Sequence, residues 1–450
     1  MEQIAIIADD LTGANDTGAQ FCQHGFKTMV IIDVDTVADT LNLGGNNKDV
    51  WAINADTRHL TAREAYQRVY DLTEILKRAG IGHIYKKIDS TLRGHPGAEL
   101  EAVMDAWEAD LALVVPAFPA NRRVVREGYL VIEEEQEVAA TGMPAAGEEK
   151  TPICHIPAVL QQEMQRRVGQ VNLTAVRQGI MALARTLESA KKENQVLVLD
   201  AVDNNDLQVI GQAIKLLPRG VVLAGAAGMA AHLTAAWDLK AIYQVSGVEP
   251  WASFSFTCPS NLKARQVPSD EAGKILLIAG SRNPVTADQV QRLAAIYCCR
   301  LVEVDTEAII AGNAKAETER VLKAVAQAAT KKDLLIVAVN SLFRQSPMNN
   351  GNGSAGAAIA ATLGIITSKL LANKEIKSLV VTGGDTAVHV CRTLGARGIN
   401  LVAELLPGIP LGYLEGGRAG GLPIVTKAGG FGPPDAFIKV LQYLSGSEDR

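Results

Sequence analysis

Aromatic residues make up only 4% of this 450-residue chain. So few rings argue against a stacking platform for single-stranded nucleic acid, which offers an aromatic face to successive bases. Positive charge is not in surplus either: 44 Lys and Arg stand against 49 Asp and Glu, a formal net charge of -5. No bulk field draws the chain to nucleic acid or to an anionic membrane, so any anion must be held by a local site. No stretch approaches the roughly 18 apolar residues of a membrane span. The start, Met1-Glu2-Gln3 followed by Ile4 to Ala8, lacks the basic and long apolar regions of a secretion signal, and a cytoplasmic location is expected. The six cysteines, Cys22, Cys154, Cys258, Cys298, Cys299 and Cys391, form no C-x-x-C pair and no Cys/His spacing that suits zinc. They are expected to be reduced, mostly buried small hydrophobes. Also missing are a P-loop, the H-R-D and D-F-G marks of protein kinases, a G-x-S-x-G elbow and a dinucleotide fingerprint after the first strand. A nucleotide, if bound, is held by a less familiar arrangement.

What is present is ordinary globular material, 48% hydrophobic and 21% charged, with 40 glycines. The length is about three times the usual ~150 residues per domain, which predicts two domains and a cleft between them. Short apolar runs alternate with segments of helical period, the mark of an α/β fold in which a largely parallel sheet is flanked by helices. Ile4 to Ala8 reads as a buried strand and Thr12 to His24 as a helix stopped by Gly25. Thr61 and Glu64 form a capping box for a helix whose face is Val69, Leu72, Ile75 and Leu76, ended by Gly80. Leu111 to Val115 and Val196 to Leu199 are further strands. Residues 133–150 read as an acidic solvated loop. A Pro- and Ser-rich break at 245–272 is the better boundary, giving domains at 1–245 and 273–450 with a linker at 246–272. Beyond it the rhythm restarts with strands at 275–279, 334–339 and 379–381 and helices at 287–295, 355–371 and 386–394.

Chemistry concentrates where strands end. Asp9 and Asp10 follow the first strand, with Asn15 and Asp16 about a turn later; one such residue alone could be a helix cap, but two carboxylates there can accept a substrate proton or hold a cation. Lys86-Lys87-Ile88-Asp89-Ser90-Thr91-Leu92-Arg93 again follows a strand and mixes cations, a carboxylate and hydroxyls, as an anionic polyhydroxy ligand requires. Arg58 and the Arg122-Arg123 pair lie in similar loops. His59 and His95 read as structural. In the C-terminal half, Gly280-Ser281, Gly383-Gly384-Asp385-Thr386 and Gly429-Gly430 form glycine turns that let backbone N–H groups approach phosphate, and together they point to a nucleotide site.

As an ordered set these motifs, with Pro116-Ala117-Phe118-Pro119, Asp200-Ala201-Val202 and Pro407-Gly408-Ile409-Pro410, resemble the four-carbon acid sugar kinases over essentially the whole chain. The resemblance implies an N-terminal sugar-acid domain, a C-terminal nucleotide domain, and ATP-dependent phosphorylation of the terminal hydroxyl of a four-carbon sugar acid. D-threonate fits best, with D-erythronate, L-threonate and 3-oxo-tetronates as neighbours. It puts substrate contacts on Asp10, Arg58, Lys87, Ile88, Asp89 and Ser90. It puts ATP contacts on Ser281, Gly383, Gly384, Asp385, Thr386, Gly429 and Gly430. Asp10 is the expected catalytic residue, orienting or deprotonating the 4-hydroxyl; Arg58 and Lys87 would hold the carboxylate, and Asp89 and Ser90 the hydroxyls. Mg2+ is expected with ATP, its protein ligand unassigned between Asp9 and Asp385. The expected partners are the sugar acid, ATP and at most a second copy in a homodimer, with no nucleic acid or membrane. A sugar-phosphate aldolase or isomerase and a non-catalytic sugar-acid sensor are the rival readings. The 133–150 segment departs from the more regular hairpin-like stretch of the family.

Overall fold

The computed structural model describes residues 2–44, 47–133, 152–218, 220–239, 274–297, 299–327, 334–343, 353–372 and 376–445. In chain order the strands are β1 (Ile4–Ala8), β2 (Thr28–Ile31), β3 (Val50–Asn54), β4 (His83–Lys87), β5 (Leu111–Val115), β6 (Arg123–Arg126), β7 (Tyr129–Ile132), β8 (Pro152–His155) and β9 (Val168–Val171). They continue with β10 (Val196–Leu199), β11 (Val221–Gly225), β12 (Lys274–Ala279), β13 (Cys299–Val304), β14 (Leu334–Val339), β15 (Ile376–Thr382), β16 (Gly398–Leu406), β17 (Ile409–Glu415) and β18 (Pro423–Lys427).

The chain forms two compact units, one of Met1–Phe21 with Asp49–Lys240 and the other of Cys22–Lys48 with Ala241–Arg450. The first unit is therefore not the contiguous 1–245 expected from composition. Residues 22–48 go with the C-terminal unit because β2 pairs antiparallel with β16, Ile31 opposite Gly398 and Met29 opposite Asn400. Lys48 Nζ adds a 2.7 Å bond to Asn400 Oδ1. The expected linker at 246–272 lies outside the described residues, as does all of the 133–150 loop except Glu133.

In the first unit the strands run in the order β3-β1-β4-β11-β5-β10-β9, every neighbouring pair parallel. A parallel sheet covered on both faces needs strands apolar on both sides, and β1, β3, β5 and β10 are buried at every residue. The helix Leu11–Gln23 follows β1 as the pattern predicted. The helix Ala62–Arg78 has its capping box in place: Glu64 N donates to Thr61 Oγ1 at 3.3 Å and Thr61 N to Glu64 Oε2 at 2.9 Å. Its Val69, Leu72 and Leu76 are buried, while Ile75 is half-buried. A separate antiparallel sheet, β6-β7-β8, was not expected. Its β6–β7 turn holds Glu127 and Gly128 at φ 48 and 73, and their amides donate to Asp200 at 2.7 and 2.9 Å. Asp200, singled out in the sequence, thus pins a hairpin.

The second unit has parallel strands β13-β14-β12-β15-β18 extended by antiparallel β17, β16 and β2. The expected strands and helices of this half are all found, with the antiparallel extension added. Among the described cysteines Cys391 is buried and Cys22, Cys154 and Cys299 are half-buried, less enclosed than expected. No helix of the described residues is long and apolar enough to cross a membrane. Thr61→Ala removes the helix cap without touching the core, so urea unfolding should show a loss of about 1 kcal/mol; unchanged stability would mean the box contributes nothing.

Candidate functional site

In the first unit β1 lies between β3 and β4, so the chain leaves β1 toward one side and later returns on the other. Connections that diverge this way open a crevice at the carboxyl ends of the strands. The charged cluster of the N-terminal site comes from those ends: Asp9 and Asp10 from β1, Arg58 from the segment after β3, Lys87 from the last residue of β4, and Asp89 and Arg93 just beyond it.

Arg58 is the hub. Its Nε and Nη2 each lie 2.7 Å from Asp9 Oδ2, its Nη1 lies 2.6 Å from Asp10 Oδ2, and its Nη2 lies 3.1 Å from Asp89 Oδ1. A planar guanidinium can satisfy several carboxylates at once, which a lysine at this position could not. Asp89 is gripped from its other side by Arg93, with Nε at 3.0 Å and Nη2 at 2.8 Å. Burial alone would raise the Asp89 carboxyl, but the Arg93 hydrogen bonds and the Arg58, Arg93 and Lys87 charges hold it well below the usual carboxylate range. At Asp10 the balance falls the other way: burial pushes it up, helped by Asp9, against the opposing pull of Arg58 and Lys87.

The two adjacent lysines of β4 part company, because successive strand residues face opposite sides of a sheet. Lys86 turns to one face and makes a 2.7 Å ion pair with Glu99 of the helix Pro96–Trp107, both side chains 1% exposed. Lys87 turns to the other, beside the helix Leu11–Gln23. A Cβ at Gly13 would sit 3.0 Å from both Lys87 Nζ and Asp10 Oδ1, so glycine there lets the helix approach them closely. Gly13 N also donates to Asp10 Oδ1 at 2.7 Å. The Lys87 ammonium has one hydrogen bond among the described residues, to the Ile88 carbonyl at 2.8 Å. Asp16, farther along the same helix, lies near enough to feel the charges of Lys87 and Asp10. It is buried, its Oδ1 meets no hydrogen-bond partner among the described residues, and burial pushes its carboxyl up to about 6 despite Lys87.

Of the residues picked from the sequence, Asp10, Arg58, Lys87 and Asp89 come together in one cluster. Ser90 borders it with no hydrogen-bond partner among the described residues. Ile88 turns its side chain into the core and its amide donates to Gly225 at 2.8 Å, leaving its backbone carbonyl on the site side. His95 bonds Glu163 and the Leu60 carbonyl, at 2.8 and 2.9 Å, consistent with a structural role. Sequence reasoning missed Glu99 as the partner of Lys86, since pairing across a helix and a strand leaves no local pattern. Asp16 was visible in the sequence as a carboxylate soon after Asp9 and Asp10.

The second unit brings its glycine turns together. A Cβ at Gly429 would collide with Ser281 Oγ, and one at Gly280 with Thr386 Oγ1. Gly383, at φ 106, leaves room for a Cβ only 3.2 Å from Thr386 Oγ1 and 3.3 Å from Ser281 N. Ser281, Gly383, Thr386 and Gly429 therefore border one small cradle, with Gly430 next to Asn283. Asp385 is exposed in the first turn of the helix Gly384–Leu394. From inside, Thr286 Oγ1 donates to the Gly429 carbonyl at 2.7 Å, and Gln289 Nε2 to the carbonyls of Phe431, Gly432 and Pro433 at 3.0, 3.0 and 2.9 Å. Thr286 and Gln289 were not foreseen; they are one helical step of three apart, the spacing that could have joined them.

Comparison with known proteins divides the chain contiguously, with residues 22–48 inside the N-terminal match. Residues 4–233 match a family described as a sugar-binding N-terminal domain and residues 276–437 one described as a nucleotide-binding C-terminal domain. The chain is 32% identical to a D-threonate kinase of Bordetella bronchiseptica, over 98% of this chain and 97% of that protein. It is 30% identical to a D-erythronate kinase of Heliobacterium modesticaldum, over 99% and 97%. A solved structure from Salmonella typhimurium, described as a putative tRNA synthase, shares the fold with a TM-score of 0.72 at 23% identity, covering 98% of this chain and 99% of that one.

Asp16 gives a direct check on the electrostatics. Its folded carboxyl is raised to about 6, whereas the unfolded chain has an ordinary value of about 4. Between those values the folded protein holds more protons, so Asp16 costs stability progressively as pH rises. Asp16→Asn should therefore be the more stable protein near pH 7, by up to about 3 kcal/mol, with the difference vanishing near pH 4. Urea unfolding of both proteins across that range checks it; a variant less stable than the parent at neutral pH would contradict it.

Proposed function

This chain belongs to the four-carbon acid sugar kinase family and is an ATP-dependent sugar-acid kinase, and from that premise we propose that it transfers the γ-phosphoryl group of ATP to the 4-hydroxyl of D-threonate. The products are ADP, 4-phospho-D-threonate and the hydroxyl proton. The observation that carries this reading is the Asp9–Asp10–Arg58–Asp89 cluster with Lys87 beside it, which sets a cation and hydrogen-bonding groups within reach of one small anionic polyol.

Lys87 is the cation best placed for the substrate carboxylate, because its only hydrogen bond among the described residues is to a backbone carbonyl. Arg58 assists it while holding three aspartates in register. The Ser90 hydroxyl and the fixed Asp89 carboxylate orient substrate hydroxyls. Asp10 accepts the 4-hydroxyl proton or aims that oxygen: burial raises its basicity while Arg58 and Gly13 fix its direction. In phosphoryl transfer, positioning and charge neutralisation carry most of the catalysis, so a rigid cluster of this kind is well suited to it.

The Ser281–Gly383–Thr386–Gly429 cradle suits the phosphates of ATP, since its glycines let the turns and the Ser281 and Thr386 hydroxyls close on one another, leaving backbone N–H groups near one small anion. Bound ATP supplies the phosphoryl group, and accompanying Mg2+ neutralises charge on its oxygens. Asp385, exposed beside this cradle in the first turn of its helix, would hold the ion or its waters.

D-erythronate, L-threonate and 3-oxo-tetronates are the alternative acceptors. Epimers differ by the direction of one hydroxyl, which a single hydrogen-bonding group can decide. An ATP-coupled assay across both threonates, both erythronates and their oxo forms should give the highest kcat/KM for D-threonate. Preference for another acid would move the substrate assignment, and no ADP production with any of them would sink the kinase reading of this site. Asp10→Asn should lower kcat by about a hundredfold or more with ATP affinity nearly intact. Undiminished turnover in that variant, with loss in Asp16→Asn, would transfer the proton-accepting role to Asp16.

A further inference from the structure

Lys427, the last residue of β18, is a buried ammonium without a carboxylate partner among the described residues. Its Nζ lies 2.8 Å from the Ala428 carbonyl, 3.0 Å from that of Gly429 and 3.1 Å from that of Phe431. The groups that face it are otherwise neutral. Thr286 Oγ1, from the helix Pro284–Ile296, is 3.3 Å away, and the Phe437 ring, from the helix Ala436–Ser445, has its centroid at 5.5 Å. From β15, Thr382 reaches Thr286 at 3.4 Å, and Gln289 binds the next carbonyls of the same turn. No titratable or charged side chain from any of these elements contributes to its ionisation.

We infer that Lys427 is the positioning residue of the nucleotide site, drawing the carbonyls of the 428–431 turn inward so that the Gly429 and Gly430 amides point outward at phosphate. The geometry follows from the peptide unit itself. The peptide bonds are trans, and in a trans peptide the C=O and the following N–H point in opposite directions. When Lys427 and Thr286 take the Ala428 and Gly429 carbonyls, the amides of Gly429 and Gly430 must turn the other way. Those two amides have no acceptor among the described residues. Positive charge on the carbonyl side also polarises both peptides, strengthening their N–H groups as donors to an anion. Lys427 acts through the turn and is not itself in contact with the phosphates.

Burial lowers the Lys427 ammonium from its usual range to about 7. The neutral amine still donates, but the charge behind the turn is lost. An anion on the far side of the peptides favours the charged form. ATP affinity should therefore be full below about pH 7 and fall as pH rises through the lysine's bound-state value.

This inference rests on the glycine cradle being the ATP site, and the test separates the two. Calorimetry with Mg-ATP from about pH 6 to about pH 9 is carried out on the full chain and on Lys427→Met, Lys427→Arg and Gly429→Ala, with sugar-acid binding measured in each as a check on folding. The parent should lose affinity toward alkaline pH. Lys427→Met should bind ATP about tenfold more weakly at the acid end and lack the parent's excess pH dependence. Lys427→Arg should restore affinity in part and abolish the alkaline loss, since arginine stays charged. Gly429→Ala should lose ATP binding at every pH. Should Lys427→Met bind ATP like the parent at all pH values while Gly429→Ala fails, the cradle stands and the role of Lys427 falls. Should Gly429→Ala also bind normally, the cradle falls with it. If Lys427→Met does not fold, a parent profile identical to that of Lys427→Arg overturns the inference by itself.

Discussion

The N-terminal site depends on one guanidinium. Arg58 joins Asp9 and Asp10, at the end of β1, to Asp89, just beyond β4. Burying three carboxylates close together is prohibitively unfavourable without a cation among them, and burying a cation is equally unfavourable without the carboxylates. Burial works against the charged form of Arg58, yet Asp10, Asp9 and Asp89 more than offset it and keep the arginine firmly protonated. The loops after three strands are thereby fixed relative to one another before any ligand arrives. That arrangement costs folding stability and supplies preorganisation, the quantity phosphoryl transfer most needs from a protein.

The two units handle buried charge in opposite ways. Around Arg58 charges are matched, and beneath the sheet Lys86 and Glu99 repeat the solution at 2.7 Å. Lys427 in the second unit is matched by no opposite charge among the described residues and is held by carbonyl dipoles and a ring face. A matched cluster holds its carboxylates in register before a ligand arrives. An unmatched ammonium is poised to gain from an anion that comes later, as a nucleotide site requires.

Much of this was legible in the sequence, because the signals are local. β1, β5 and β10 were visible as apolar runs, the capping box at Thr61 and Glu64 fixed a helix start, and carboxylates and cations directly after strands marked Asp10, Arg58, Lys87 and Asp89. What was not legible depends on contacts between distant residues. The pairing of β2 with β16, which moves residues 22–48 into the second unit, joins positions with no shared local pattern. The opposite destinations of Lys86 and Lys87 follow from strand alternation, but only Glu99, on a separate helix, shows which of the two is structural. Ile88 shows that a residue inside a functional run can turn its side chain into the core while its carbonyl stays on the site side. The role of Lys427 lies in its carbonyl contacts, and nothing in the Thr426 to Gly432 run says that the ammonium points inward.

The central claim is that the planar fork of Arg58, more than its charge, organises the sugar-acid site. Steady-state kinetics of Arg58→Lys with Mg-ATP and D-threonate, alongside calorimetric ATP affinity, tests it most directly. The account predicts a fall in kcat of about a hundredfold or more, because lysine cannot hold three carboxylates in register, with ATP affinity unchanged. A variant that keeps near-parental kcat and KM for the sugar acid would contradict it.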